Sequence, residues 1–196
     1  RLHGANGKPS LGLLLNPSSW LTRWSHLLQP PATVLDVGCG AGRHLAWCAA
    51  KGQAVTGLDR DITLARQSVP SAQLVCADLE AGPWPLQTNG QLQTFGAVVV
   101  TNYLWRPLFG TIAGSVAPGG VLLYETFAAG NQALGRPSRD AFLLQPGELL
   151  RSFAAMDVIA YEQGYLTNPP RFVQRICALQ PPETGTSPLE AKRLAL

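Results

Sequence analysis

The sequence predicts an α/β protein with a doubly wound sheet of seven strands, mostly parallel, with one antiparallel strand near the C-terminus. Short apolar, β-favouring segments alternate with helical patterns across short loops up to residue 126, which is typical of a parallel sheet. Two further strands, 158–165 and 172–179, are separated only by a short turn at 167–170. So short a turn makes these two strands antiparallel, and one of them must therefore run against the rest of the sheet.

An amphipathic helix is predicted before the sheet, at 17–29. Its apolar residues recur at helical spacing, and they are Trp20, Leu21, Trp24, Leu27 and Leu28. A helix of this kind either packs on the edge of the sheet or covers a pocket. Pro30 and Pro31 end it, because proline cannot continue a helix.

The elements of the sheet and its helices follow in chain order. Strand interiors are apolar and rich in β-branched residues, as in the run Ala97-Val98-Val99-Val100. Pro118-Gly119-Gly120 is interpreted as a turn, and 128–140 as a long polar loop. We predict strand 33–37, helix 43–50, strand 54–58, helix 62–68, strand 73–77, strand 95–101, helix 107–116, strand 121–126 and helix 146–153.

Length and composition limit the classes of protein. With 196 residues, of which 46% are hydrophobic, the chain can bury one sizeable core. We expect an N-terminal segment at 1–30 that carries the covering helix, one domain at 31–180 and a flexible tail at 181–196. The net charge is only +3 and the basic residues are scattered, so a nucleic-acid substrate is not favoured. No apolar run approaches the roughly 20 residues of a membrane span.

The cysteines give no sign of a disulfide framework or a metal site. They show neither a CxxC pair nor Cys/His spacing, and they are Cys39, Cys48, Cys76 and Cys177. We therefore expect reduced thiols in a cytoplasmic protein, and no bound metal. The apolar segment at 11–15 is too short for the core of a signal peptide.

Carboxylates recur at the ends of successive predicted strands. Asp36 lies within the first strand, Asp59 ends the second and Asp78 follows the third, while Thr101-Asn102 ends the fourth. In an open α/β sheet, ligands bind beyond the carboxyl ends of the strands. The regular placement of these acids therefore predicts a binding site at that edge of the sheet.

The stretch VLDVGCGAGRH at 34–44 predicts which kind of ligand binds there. A dinucleotide site needs glycines spaced as G-x-G-x-x-G, whereas here Gly38, Gly40 and Gly42 alternate, and Asp36 would repel a pyrophosphate. A carboxylate in this position suits a cation, and S-adenosylmethionine carries an ammonium and a sulfonium but no phosphate. Asp59 could then accept hydrogen bonds from both ribose hydroxyls, and Asp78 from the adenine amino group.

Three motifs in this part of the chain resemble those of a known family. The segments VLDVGCGAGRH, GLDRD (57–61) and ADLE (77–80) are similar to the first three motifs of class I S-adenosylmethionine-dependent methyltransferases, and the resemblance covers about 30–180. The segments NYLWRPL, YETFAAGN, GRPSRDAFLLQPGELL and RFVQRICAL resemble more specifically a group of small bacterial tellurite-resistance-like methyltransferases.

The resemblance implies a Rossmann-like fold, S-adenosylmethionine as the cofactor and a set of cofactor-binding residues. Within that set, Asp36, Gly38 and Gly40 would hold the methionine end of the cofactor. Asp59 would hold the ribose, Asp78 and Leu79 the adenine, and Asn102 would line the pocket beside the amino-acid portion. The full set is Asp36, Gly38, Cys39, Gly40, Gly42, Asp59, Arg60, Asp78, Leu79 and Asn102.

Methyl transfer from a sulfonium makes no general acid or base compulsory, because the methyl group is already activated. The protein has to align the acceptor in line and exclude water. Tyr103 could orient a substrate, Arg106 could bind an anionic one, and Glu125 or His44 could serve as a base. Each of these four catalytic candidates also has a purely structural alternative: a cap, an ion pair, a hydrogen bond or a solvated side chain.

The sequence thus predicts a methyltransferase that acts on a small molecule or small anion, as a monomer or a homodimer. Two alternatives stay open: a nicotinamide-dependent oxidoreductase, and a non-catalytic partner protein that binds S-adenosylmethionine. The segment Asn168-Pro169-Pro170-Arg171 is similar to a motif of amino-group methyltransferases that act on nucleic acids. It lies between the last two strands instead of after the fourth, and we interpret it as turn chemistry.

Overall fold

The computed structural model describes residues 16–28 and 32–182. The helices and strands, numbered along the chain, are α1 (Ser19–Trp24), β1 (Thr33–Val37), α2 (Arg43–Ala49), β2 (Ala54–Asp59), α3 (Thr63–Ser68), β3 (Gln73–Cys76), β4 (Gln87–Thr88), β5 (Gln91–Leu92), β6 (Phe95–Thr101), α4 (Phe109–Gly114), β7 (Val116–Phe127), α5 (Glu148–Ser152), β8 (Asp157–Thr167) and β9 (Pro170–Leu179). Single turns of 3₁₀-helix occur at Ser25–Leu27, Arg106–Leu108, Asn131–Ala133 and Asp140–Phe142.

The main sheet has seven strands in the order β3-β2-β1-β6-β7-β9-β8. β3, β2, β1, β6 and β7 pair in parallel, whereas β9 is antiparallel to both of its neighbours. The predicted fold, including the antiparallel strand near the C-terminus, is confirmed. The chain winds outward in one direction from β1 to β3 and in the other from β6, so β1 and β6 flank the point where ligands bind in such sheets.

Two apolar clusters pack on the sheet. Alternate residues of β6 belong to different clusters: Val98 and Val100 to one, Ala97 and Val99 to the other. Because successive side chains of a strand point to opposite faces, both faces of the central sheet are buried. This double burial explains why the strand is a continuous apolar run instead of an alternating one.

The N-terminal helix packs against one of these clusters. Trp20 and Leu21 are each 1% exposed, and the Trp20 indole N–H donates to the carbonyl of Ile176 on β9 at 3.0 Å. The helix is shorter than the predicted 17–29, because the α-helix ends at Trp24 and continues as a 3₁₀ turn to Leu27. The predicted end of this helix at 29–31, the start of the chain at 1–15 and most of the predicted tail, 183–196, lie outside the described residues.

Two further differences concern the middle of the chain. β7 starts at Val116 instead of residue 121, since Pro118-Gly119-Gly120 stays within the strand as an irregularity in its pairing with β6. A small hairpin, β4–β5, was not predicted. Its turn is Asn89-Gly90, and both residues have positive φ, the conformation that tight two-residue hairpins require. The Asn-Gly pair was the sequence signal for it.

Candidate active site

A cavity of about 750 Å³ opens at the carboxyl edge of the sheet. The residues that line it come from the segments that follow β1, β2, β3 and β6, together with one residue of the loop after β7. They are Gly38, Asp59, Arg60, Ala77, Asp78, Leu79, Glu80, Ala81, Asn102, Tyr103, Trp105 and Phe142. The volume lies within the roughly 300–1,000 Å³ of small-molecule and cofactor sites.

The three glycines after β1 all have positive φ, but their surroundings differ. A Cβ at Gly42 would lie 3.3 Å from Cα of Ala65, so this glycine lets α2 and α3 approach each other. A Cβ at Gly38 would lie 3.2 Å from Cβ of Tyr103. Gly40 has open space, with nothing within 4 Å of the same position. Gly40 is therefore where a ligand could approach the backbone closely.

Two carboxylates at neighbouring strand ends are oriented by backbone N–H groups. Asp59 accepts from Gly40 at 2.8 Å through Oδ2 and from Asp61 at 3.1 Å through Oδ1. Asp78 accepts from Glu80 at 3.0 Å and from Ala81 at 3.2 Å, both through Oδ1. Because a carboxylate has about four lone-pair positions, each of these acids keeps acceptor capacity for a ligand.

Tyr103 is the catalytic candidate that lines the cavity. Its hydroxyl is buried and has no hydrogen-bond partner among the residues that the structure describes. Burial raises the pKa of Tyr103 to about 12, helped by the negative charges of Glu80, Asp78 and Asp59. The hydroxyl is therefore protonated at neutral pH.

Asp36 and His44 form a buried pair that does not line this cavity. Asp36 is 0% exposed, and its Oδ2 lies 3.4 Å from Nδ1 of His44. The His44 Nε2 accepts the backbone N–H of Ser18 at 3.2 Å, so the ring hydrogen is on Nδ1, on the side of Asp36. His44 thus ties the N-terminal helix to the end of β1. The predicted contact of Asp36 with the methionine end of a cofactor stays a prediction.

Glu125 is held by two arginines. It is 1% exposed, and it lies 2.8 Å from Arg171 and 3.3 Å from Arg175. Ser18 Oγ donates to the same carboxylate at 3.3 Å. These contacts favour the structural alternative for Glu125 over that of a base.

Arg106 is bonded at each of its nitrogens. Nε and Nη2 bind the Glu148 carboxylate at 2.6 and 3.0 Å, and Nη1 and Nη2 donate to the carbonyls of Ala141 and Leu143 at 2.7 and 2.9 Å. The pKa of Arg106 is raised, chiefly by the hydrogen bond to Glu148. A guanidinium with these partners has little capacity left for an anionic substrate.

Some of the predicted cofactor-binding residues line the cavity, and Cys39 lies outside its lining. Arg60, Leu79 and Asn102 line the cavity, as do Gly38, Asp59 and Asp78. Cys39 lies beneath the glycine turn, 5% exposed, and burial followed by the charges of Asp36 and Asp59 raises its pKa to about 12. Its Sγ would lie 2.9 Å from a Cβ at Gly57, which identifies Cys39 as a packing residue.

Sequence reasoning missed two residues at the cavity, Phe142 and Arg171. Phe142 forms an aromatic wall with Trp105, but it comes from a loop whose path the sequence could not indicate. Arg171, assigned to a turn, lies beside the cavity: its Nη1 is 3.5 Å from Oδ1 of Asn102. The signal for Arg171 was topological, because an antiparallel β9 begins at the edge where the parallel strands end.

The described residues contain neither a cluster of potential metal ligands nor a helix long and apolar enough to cross a membrane.

Comparison with known proteins gives a family for part of the chain. Residues 34–120 match the model of a family described as "Methyltransferase domain". This match spans β1, β6 and the start of β7, and it includes all the cavity-lining residues except Phe142. No curated protein sequence matches the chain at a significant level.

Solved structures share the fold. TehB from Haemophilus influenzae aligns with a TM-score of 0.65 at 17% identity, over 80% of this chain and 60% of TehB, so the chain spans less than two thirds of that protein. A SAM-dependent methyltransferase from Methanosarcina mazei gives 0.65 at 17% identity, over 86% of this chain and 100% of that one. A TehB-like SAM-dependent methyltransferase from Corynebacterium glutamicum gives 0.62 at 19% identity, over 87% and 92%.

Identities this low establish a common fold, and the family model matches less than half of the chain. Within the part of the chain that the structure describes, Gly40 has open space beside it, and Asp59 and Asp78 keep free acceptor positions. Residues 34–120 thus resemble a methyltransferase domain, and the chain shares the fold of S-adenosylmethionine-dependent methyltransferases such as the TehB-like proteins.

Proposed function

We propose that the chain transfers a methyl group from S-adenosylmethionine to a small-molecule or small-anion acceptor by in-line displacement. The observation that carries this proposal is the cavity itself: about 750 Å³, with Asp59 and Asp78 at neighbouring strand ends and aromatic walls. This volume accommodates a cofactor and a small acceptor, and it is within the range of ligand pockets.

In this proposal, Asp59 binds the ribose hydroxyls of the cofactor, and Asp78 and Leu79 contact the adenine. Gly38 and Gly40 pass close to the methionine end, with Asn102 beside it. The support is positional, since these residues end or follow β3, β2, β1 and β6, which lie side by side in that order. The cofactor supplies an activated methyl group, which needs alignment more than it needs acid or base chemistry.

The protein's own contribution is therefore to bind, orient and exclude water. Tyr103 is suited to orientation, because its raised pKa of about 12 keeps the hydroxyl protonated. Trp105 and Phe142 provide apolar walls that limit the access of water. His44 and Glu125, the candidates for a base, have structural partners instead.

The charge of the cavity supports a small acceptor over a nucleic acid. Its lining contains Asp59, Asp78 and Glu80 but only one cation, Arg60. Affinity for nucleic acids comes mainly from several cations that together neutralise phosphates along the backbone, and this lining does not provide such a set. We also propose a cytoplasmic location, which the free state of all the cysteines supports, and a monomer or a homodimer.

Thermal unfolding tests the cofactor against the oxidoreductase alternative. At a concentration 100-fold above its dissociation constant, S-adenosylhomocysteine should add roughly 2.7 kcal/mol to the free energy of unfolding, and NAD should add nothing. A shift with NAD alone would overturn the proposal. Methyl transfer to a panel of metabolites, thiols and oxyanions then separates an enzyme from a non-catalytic binding protein, since only the enzyme turns the cofactor over.

A further inference from the structure

The contacts of Arg106 bracket one cavity residue. Its guanidinium binds the carbonyls of Ala141 and Leu143, which are the chain neighbours of Phe142 on either side. Phe142 lines the cavity, and so does Trp105, the residue before Arg106. Arg106 therefore connects two walls of the cavity, one on the segment after β6 and the other on the loop after β7.

Burial does not hold Phe142 in place. The residue is 37% exposed, whereas Leu143 and Leu144, which follow it, are 1% and 0% exposed. The core therefore fixes the chain just after Phe142, and the side chain itself projects at the cavity. On its other side, the carbonyl of Ala141, in the short 3₁₀ turn Asp140–Phe142, accepts a hydrogen bond from Arg106.

Glu148 gives this arrangement its rigidity. It binds Arg106 through both carboxylate oxygens, and its Oε2 also accepts the backbone N–H of Gln145 at 2.7 Å. The side chain of Glu148 is only 13% exposed, so water weakens this pair less than a surface ion pair. A two-pronged contact between planar groups also fixes the orientation of the guanidinium, which a lysine could not reproduce.

We infer that Arg106 is a positioning residue of the methyltransferase: it binds neither cofactor nor acceptor and holds Phe142 at the cavity opposite the segment of Trp105. Its effect on ligand binding passes through the Phe142 side chain. This inference rests on the proposed function, because it assumes that the cavity holds the cofactor. It also replaces the expectation that Arg106 binds an anionic substrate.

A double-mutant cycle tests this role with S-adenosylhomocysteine as the probe and isothermal titration calorimetry as the measurement. Phe142→Ala and Arg106→Gln should each raise the dissociation constant by about tenfold, and the double variant should be no weaker than the weaker single one. If the two side chains acted independently, the dissociation constant of the double variant would instead rise about 100-fold. A general structural defect would not be coupled to Phe142 in this way, so the coupling distinguishes positioning from stability.

Matched variants complete the experiment. Arg23→Gln removes the exposed ion pair with Glu162, which lies outside the cavity lining, and should leave the affinity unchanged. Arg106→Lys keeps the charge but loses the two-point contact with the Glu148 carboxylate. It should weaken the binding of S-adenosylhomocysteine and be coupled to Phe142→Ala in the same way. If Arg106→Gln does not fold, Arg106→Lys and Glu148→Gln replace it in the double-mutant cycle with Phe142→Ala.

The outcomes separate the two proposals. If the unmodified chain does not bind S-adenosylhomocysteine, the proposed function fails and the role of Arg106 fails with it. If the unmodified chain binds but the Arg106 variants bind equally well, or if their effects multiply with that of Phe142→Ala, only the positioning role is overturned.

Discussion

The backbone N–H of Gly40 donates a 2.8 Å hydrogen bond to Oδ2 of Asp59. This bond ties the glycine turn after β1 to the end of β2, and it orients the carboxylate before any ligand arrives. Preorganisation of this kind lowers the cost of binding, since the side chain has less freedom to lose. The glycine turn and the acid, which are 19 positions apart in the sequence, thus act as one unit.

Asp59→Ala should weaken cofactor binding while the fold survives. Hydrogen bonds to a charged group are worth about 1.5–3 kcal/mol, so the dissociation constant of S-adenosylhomocysteine should rise about 10- to 150-fold. Asp61→Ala is the control: Asp61 is an exposed neighbour that binds the N–H of Thr63 and does not line the cavity. Equal affinities for both variants in calorimetry would show that Asp59 does not bind the ribose.

Gly40→Ala should weaken binding by placing a methyl group where the ligand approaches. Gly52→Ala is a matched control, because Gly40 and Gly52 have φ of +52° and +81° and neither has an atom within 4 Å of the Cβ position. Both variants should lose about 1–2 kcal/mol of stability through backbone strain. Only Gly40→Ala should also lose affinity for S-adenosylhomocysteine. Unchanged affinity in Gly40→Ala would exclude a close approach of the cofactor at this glycine.

Glu125→Ala should destabilise the fold strongly, because it leaves Arg171 and Arg175 half-buried without their shared partner. Removal of one member of a buried ion pair costs about 3–5 kcal/mol. Glu162→Ala is the control, since Glu162 binds Arg23 and Arg175 but its side chain is 40% exposed, and the expected loss is about 0–1 kcal/mol. Urea unfolding measures both. A stable Glu125→Ala variant that has lost only its activity would restore Glu125 as a base.

Thiol labelling should find one reactive cysteine in the native chain. Cys76 is exposed, whereas Cys39, Cys48 and Cys177 are buried. Burial raises the pKa of each of these three thiols to about 12, so the thiolate that reacts is scarce. A disulfide reagent at pH 8 should label Cys76 rapidly, and a Cys76→Ser variant should show no fast phase. Rapid labelling of that variant would contradict the burial of the others.

The same thiols predict a loss of stability in alkaline solution. Their pKa is raised in the folded chain above the ordinary value of 9.0, so the folded state keeps protons that the unfolded chain releases. Their contribution to stability is therefore complete below about pH 9 and is lost as the pH rises towards 12. Urea unfolding at pH 8 and pH 10.5 should show the decline, and Cys48→Ala should reduce it. If the free energy of unfolding of that variant falls equally between pH 8 and pH 10.5, the decline belongs to other titrating groups.

Much of the fold could be predicted because local and global signals agree. β1 and β6 occur where the sequence predicted them, since both are runs of β-favouring residues that the sheet buries on both faces. Helix ends were less accurate, because a 3₁₀ turn follows α1 and another precedes α4, and periodicity in the sequence does not distinguish such a turn from the α-helix that it adjoins. The hairpin at Asn89-Gly90 has a clear local signal in the Asn-Gly pair itself.

The site, like the fold, has features that the sequence predicts and features that depend on distant segments. Asp59 ends β2, and Asp78 and Asn102 lie within two residues of the ends of β3 and β6, so their meeting at one edge of the sheet followed from the parallel order of the strands. Arg106 lies in the segment after β6 and Glu125 lies within β7, and their partners come from distant segments: Glu148 for one, Arg171 and Arg175 for the other. A sequence shows a charged side chain, but not the opposite charge that folding brings to it.

The sequence by itself determined the parallel sheet, the antiparallel strand near its end and the edge at which the cavity opens, because these depend on short-range patterns repeated along the chain. Only the tertiary structure decided which polar residues line the cavity and which are buried elsewhere in the protein. Asp36 and Tyr103 illustrate this: the acid is buried beside His44, and the tyrosine is among the residues that line the cavity. The physical reason is that burial and hydrogen bonding depend on neighbours that are distant in the sequence.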